Sequence, residues 1–158
     1  VLDEDYYKRI EAIQFTMSHD DGKKVDDIGN ADVILLGVSR TSKTPTSIYL
    51  ANRGFKTVNI PLVLDQKIPE ELKFNKTSCI VGLVADPERL SDIRRNRVAI
   101  MKEHKLKDYT NLESIKKEVE DSKSLFKRNN WPIIDVTRRS VEETAASILK
   151  IIDIKKNK

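Results

Sequence analysis

Eight consecutive residues, Gly37-Val38-Ser39-Arg40-Thr41-Ser42-Lys43-Thr44, have the composition and spacing of a phosphate-binding loop. The pattern asks for Gly, four residues, Gly, Lys and then Ser or Thr, and the chain meets it at Gly37, Lys43 and Thr44. In such a loop the backbone N–H groups and the N-terminus of the following helix make a pocket for phosphate oxygens. Lys43 would neutralise the terminal phosphates, Arg40 would add a second charge, and Thr44 would offer a hydroxyl to Mg²⁺. Ser42 stands where a second Gly is expected, at a point whose backbone angles a Cβ disfavours. A capped strand-to-helix turn with an exposed lysine is the competing explanation.

Three other groups of residues have chemistry to offer. His19, Asp20 and Asp21 follow a helical segment directly. An imidazole accepts a proton at neutral pH, and a carboxylate can do the same or hold a cation. Two acids at a helix C-terminus are electrostatically unfavourable, which points to a compensating cation; of the three residues, Asp20 or Asp21 is preferred to His19 as a base. A solvated helix end is the alternative. Arg94 and Arg97 project onto the apolar arc of Leu90, Ile93, Val98 and Met101, whereas Arg95 points away. A guanidinium on that side needs a partner, either a carboxylate or a phosphate. Arg138 and Arg139 follow a strand and either stack on a base or lie at the surface. His104 reads as surface; Trp131 and Tyr49 read as packing.

The elements that must position these residues are legible in the hydrophobic pattern. Leu2, Tyr6, Ile10, Ile13 and Met17 form one helical stripe, which predicts a leading amphipathic helix with that side buried. Val33-Ile34-Leu35-Leu36, Thr57 to Ile60, Ser78 to Val84 and Ile133 to Val136 are short apolar runs, as strands buried on both faces require. Helices are predicted over about 45–53, closed by Gly54, then about 87–104 and 111–128. A last helix opens with the capping-box spacing of Ser140 and Glu143 and buries Val141, Ala145, Ile148, Leu149 and Ile152. Strands alternating with helices predict an α/β fold, a parallel sheet covered by helices on both faces and P-loop-kinase-like. Ligands of such sheets sit at the carboxyl ends of the strands. The organisation expected is a leading helix and polar loop over 1–30, a nucleotide-binding domain over 31–154, and a basic tail over 155–158.

With 158 residues, 39% hydrophobic and 34% charged, the chain is neither disordered nor collagen-like. No apolar run reaches the ~18–20 residues of a membrane helix. A net charge of +4 and 6% aromatic residues are weak grounds for nucleic-acid binding. Basic residues do cluster over 89–107, with seven bases against two acids. The single Cys79 cannot close an internal disulfide, which suits a reducing, cytoplasmic setting.

The stretch Gly37 to Ala51 with Val58-Asn59-Ile60-Pro61-Leu62 resembles the pyruvate, phosphate dikinase regulatory protein family, which also contains the phosphoenolpyruvate synthase regulators. So do His19-Asp20-Asp21-Gly22, Arg94-Arg95-Asn96-Arg97, Trp131-Pro132, Asp135 to Ser140, and Glu143-Thr144-Ala145. The resemblance implies a bifunctional enzyme. It implies phosphorylation of a dikinase threonine with ADP as donor, and removal of that phosphate by phosphorolysis with inorganic phosphate, releasing pyrophosphate. Ser before Lys43 is similar to the dikinase branch, and Gly to the synthase branch. Full members are longer, so the resemblance also implies an N-terminal domain absent from this chain, which begins Val1 without Met. A homodimer is left open. The readings that compete are an ATP-dependent small-molecule kinase and a non-catalytic nucleotide-binding regulatory module.

Overall fold

A computed structural model describes residues 4–19, 30–38, 40–62, 72, 78–101 and 111–156, with the backbone alone for 97–101 and 155–156. They form α1 (Glu4–Ser18), β1 (Val33–Gly37), α2 (Lys43–Asn52), β2 (Thr57–Pro61), β3 (Cys79–Val84), α3 (Pro87–Met101), α4 (Leu112–Arg128), β4 (Ile133–Asp135) and α5 (Val141–Lys156). The polar stretch 20–29 lies outside the described residues.

The four strands make one parallel sheet in the order β2-β1-β3-β4. Every residue of β1 and β3 is buried, as the unbroken apolar runs predict. Alternate residues divide between two cores because successive side chains point to opposite faces. Val33, Leu35, Val81 and Leu83 pack with Leu50 of α2 and Ala145, Ile148 and Ile152 of α5. Ile34, Leu36 and Ile80 pack with Phe126 of α4 on the other side. Helices therefore cover both faces. Gly82 is required on the second face, since a Cβ there would overlap the Phe126 ring.

Local signals set several helix ends. Gly54 adopts φ +90°, and the N–H groups of Gly54 and Phe55 return to the carbonyls of Ala51 and Leu50, closing α2. Asn111 caps α4 by accepting from the N–H groups of Glu113 and Ser114, a contribution of about 1 kcal/mol. Ser140 and Glu143 make the reciprocal capping box of α5. Helix α2 begins at Lys43, two residues before the predicted start. Pro45 still falls within its first turn, where no intrahelical N–H is needed.

The leading helix is oriented differently from the prediction. Tyr6, Tyr7, Ile10 and Met17 are exposed and Ile13 is only half-buried, while Ala12 and Thr16 face inward. The physical reason is close approach. α1 lies against α2 and the start of β2, where Thr16 Oγ1 accepts from the Thr57 N–H at 3.1 Å, and small residues fit that seam better than tyrosines. Ile93, predicted on the buried arc of α3, is also exposed.

Candidate functional site

Strand order locates the crevice. The crossover from β1 leads to β2 on one side, whereas β3 pairs with the other side of β1. Neighbouring connections diverge above β1 and β3, and ligands of doubly wound sheets bind in the gap that opens at the carboxyl ends of the strands. The segment entering this gap is the loop that runs from Gly37 into α2.

That loop is tightly drawn. Gly37 admits no side chain, because a Cβ would lie 2.6 Å from Thr41 Oγ1 and 2.8 Å from the Leu83 carbonyl oxygen. The buried Thr41 hydroxyl donates to the Val38 carbonyl at 2.8 Å. Lys43 is 5% exposed, and its ammonium donates to the same carbonyl at 2.9 Å. The lysine thus curls back over the loop, contrary to the exposed side chain of the competing explanation. Arg40 and Ser42 both take left-handed angles, φ 71° and 62°. Ser42 is the N-cap residue of α2 but makes no side-chain cap bond. This is the strain a Cβ was expected to meet at the missing glycine, about 1–2 kcal/mol for an L-residue.

The helix that follows is anchored from below. Ser47 Oγ donates to the Thr44 carbonyl at 2.8 Å and accepts from Asn59 Nδ2 of β2 at 3.4 Å. Thr44 is half-buried in the first turn of α2. Ser39 lies outside the described residues.

On the far side of the crevice, Asp86 lies two residues past the end of β3 and Thr137 two residues past the end of β4. The Asp86 N–H donates to Thr137 Oγ1 at 2.7 Å, and Thr137 Oγ1 donates to Asp135 Oδ1 at 2.5 Å. Partial burial pushes the Asp135 carboxyl up. Two hydrogen bonds from Thr137, with the charges of Lys123 and Arg139, outweigh it, and the carboxyl titrates below the ordinary aspartate range. Arg138 is exposed, and Arg139 Nη1 donates to Ser147 Oγ at 2.8 Å. Asp86 was not among the sequence candidates. Its signal was available: it is the first acid after β3, at the carboxyl end of a strand that pairs with β1.

Other candidates are placed elsewhere. Arg94 is buried, about 10 Å along α3 from Pro87, and its Nη1 pairs with Glu118 Oε2 of α4 at 2.7 Å. Of its two sequence alternatives, the carboxylate partner is the one observed. The Arg97 side chain, Asp20 and Asp21 lie outside the described residues. His19 is buried; its Nδ1 stands 2.6 Å from the Phe15 carbonyl, and its ring stacks on the Phe15 ring with centroids 4.0 Å apart. A carbonyl only accepts, so Nδ1 of His19 carries the proton of that bond. Its helix is tied to Thr57, level with the start of β1, whereas the loop leaves the strand's end about 13 Å away.

A doubly wound α/β domain with a lysine-bearing loop of phosphate-binding pattern at its switch point is the class these features define. The sequence model of a family described as kinase/pyrophosphorylase matches residues 1–149. The chain belongs to that family. It is 64% identical over 157 residues to a protein of Pelagibacter ubique named "Putative pyruvate, phosphate dikinase regulatory protein", covering 99% of this chain and 57% of that one. Relatives of the same name from Sinorhizobium medicae and Paramagnetospirillum magneticum are 55% and 49% identical, with 96% of this chain aligned to 56% and 49% of theirs. The chain spans about half the length of the curated relatives it matches. Among the described residues no helix is long and apolar enough to cross a membrane.

Proposed function

We propose that this chain carries the nucleotide site of a bifunctional regulator of pyruvate, phosphate dikinase, an ADP-dependent threonine kinase and phosphate-dependent, pyrophosphate-forming phosphorylase. The observation that supports it best is Lys43, whose ammonium is turned into a strained loop at the switch point. The family description supports a kinase-like phosphotransferase, and the relatives' names support pyruvate, phosphate dikinase as the target.

In the kinase direction the target threonine oxygen attacks the β-phosphorus of ADP. The bond to the bridging oxygen breaks, AMP departs with the electron pair, and the threonine proton passes to a base. Asp20 or Asp21 is the base we favour over His19. In the other direction an oxygen of inorganic phosphate attacks phosphothreonine, giving pyrophosphate and the free hydroxyl. Both directions need one pocket for a diphosphate, so a single loop can serve them. Charge neutralisation by Lys43 and Arg40 and binding by backbone N–H groups are the main contributions of the protein to such transfers.

Magnesium fits the oxygen donors at hand. No group of three or more His, Cys, Asp or Glu side chains is assembled for a metal among the described residues. Mg²⁺ is ordinarily held by few protein ligands and by substrate phosphates, so the Thr44 hydroxyl and the nucleotide would hold it and neutralise phosphate charge. Arg138 and Arg139 would meet the nucleoside.

The test is incubation of the full-length protein with the dikinase and β-labelled ADP. Label on a dikinase threonine supports the proposal. Label from γ-labelled ATP on a metabolite, with none from ADP, would replace it with a small-molecule kinase. ADP binding without transfer would leave a regulatory binding module. Transfer to phosphoenolpyruvate synthase instead would move the target within the same chemistry.

A further inference from the structure

The hydrogen bonds that join the ends of β3 and β4 have a direction that elementary chemistry settles. A backbone N–H can only donate, so Thr137 Oγ1 must accept from Asp86 at 2.7 Å. The single hydroxyl proton is then committed to Asp135 Oδ1 at 2.5 Å. That same oxygen accepts the Thr137 N–H at 2.9 Å, which folds Asp135 to Thr137 into a closed turn. The acceptor is ionised, and bonds to a carboxylate are shorter and stronger than neutral ones. With the Asp135 carboxyl ionised, no other arrangement of protons satisfies all three bonds. Thr137 is thus a directional bolt between two neighbouring strand ends on the crevice side of the sheet.

The bolt sits next to two features that a nucleotide would meet. Asp86 directly precedes α3 and receives its first turn, its carbonyl accepting from the Leu90 N–H at 3.0 Å and its carboxylate from the Arg89 N–H at 3.4 Å, while its own N–H is held by Thr137. Arg138 follows Thr137 directly and has no hydrogen-bond or ion-pair partner among the described residues, whereas Arg139 is held by Ser147. The phosphate loop, in contrast, is built from Val38, Thr41 and Lys43 and shares none of these bonds.

We propose that Thr137, oriented by Asp135, is a positioning residue for the nucleoside part of a nucleoside diphosphate, because it fixes Arg138 and the start of α3 relative to the phosphate loop. This rests on the nucleotide reading above and deepens it: the phosphate end and the nucleoside end of the site are separate mechanical units. Ligands that lack a nucleoside do not use the second unit.

The experiment is calorimetric titration of the folded chain with ADP and, separately, with pyrophosphate. Thr137→Val keeps the shape and removes the hydroxyl. It is expected to weaken ADP about tenfold, the size of one lost charge-assisted hydrogen bond, and to leave pyrophosphate within about twofold. Thr137→Ser restores ADP binding. Arg138→Ala, an exposed change that cannot unfold the domain, reproduces the selective loss and keeps the proposal testable if Thr137→Val fails to fold. Equal loss of both ligands, no loss of either, or no effect of Arg138→Ala overturns the proposal while the nucleotide reading stands. A wild-type chain that binds neither ligand overturns that reading and this proposal with it.

Discussion

Lys43 and Val38 are five residues apart, and the ammonium of the first donates to the carbonyl of the second over 2.9 Å. The lysine is thereby held inside the loop with its charge close to where phosphate oxygens would enter. Because the proposed kinase and phosphorylase directions share this pocket, Lys43→Ala is expected to abolish both together. A loss of about 10²–10³-fold or more in each is the scale of one removed charge-stabilising donor. Rates measured in both directions on the full-length protein check it. Loss of the kinase direction alone would contradict the single-site mechanism.

Ser42 lies at φ 62°, ψ 30° with no side-chain cap bond to hold it there. Glycine meets no Cβ penalty at such angles but costs more chain entropy on folding. Ser42→Gly is therefore expected to stabilise the chain by up to about 1 kcal/mol and to keep ADP binding. The shift of the urea midpoint at constant slope measures it. A destabilised variant would show that the serine hydroxyl has a role beyond filling the turn.

The Arg94–Glu118 pair bridges α3 and α4 with the guanidinium 1% exposed. Breaking a buried pair strands a charge, so Arg94→Met is expected to cost about 3–5 kcal/mol. The double change Arg94→Met with Glu118→Leu should recover most of that, since an apolar replacement removes both desolvation penalties. Denaturant unfolding of the single and double variants decides it. If ADP affinity fell in the stable double variant, Arg94 would have a phosphate-binding role besides the pair.

Asp135 titrates below the ordinary aspartate value because the Thr137 bonds and nearby Lys123 and Arg139 outweigh the effect of burial. A carboxyl depressed in the folded state contributes its full stability above the unfolded pKa of about 3.9, and loses it as pH falls through the lower folded value. Wild-type stability should therefore drop more steeply than that of Asp135→Asn as the pH is taken from about 5 to about 3. Parallel thermal melts of the two proteins across that window would show it. Equal slopes would mean that the turn does not depend on the charge.

The sequence by itself determined the parallel α/β architecture, the loop and its place between a strand and a helix. These are local matters. Unbroken apolar runs such as Val33 to Leu36 have no polar face to expose, Gly54 and Ser140 set helix ends by backbone geometry, and Gly37, Lys43 and Thr44 lie in one contiguous segment. Only the tertiary structure decided which face of α1 is buried, because that depends on how closely a neighbouring helix and strand approach. Thr16 and Ala12 fit the seam that the predicted stripe of Tyr6, Ile10 and Met17 does not. It also decided the partner of Arg94, 24 residues away on another helix, and the junction of Asp86 with Thr137, 51 residues apart. Periodicity reports that a side chain faces inward; what it meets there is set by the order in which the sheet assembles its strands.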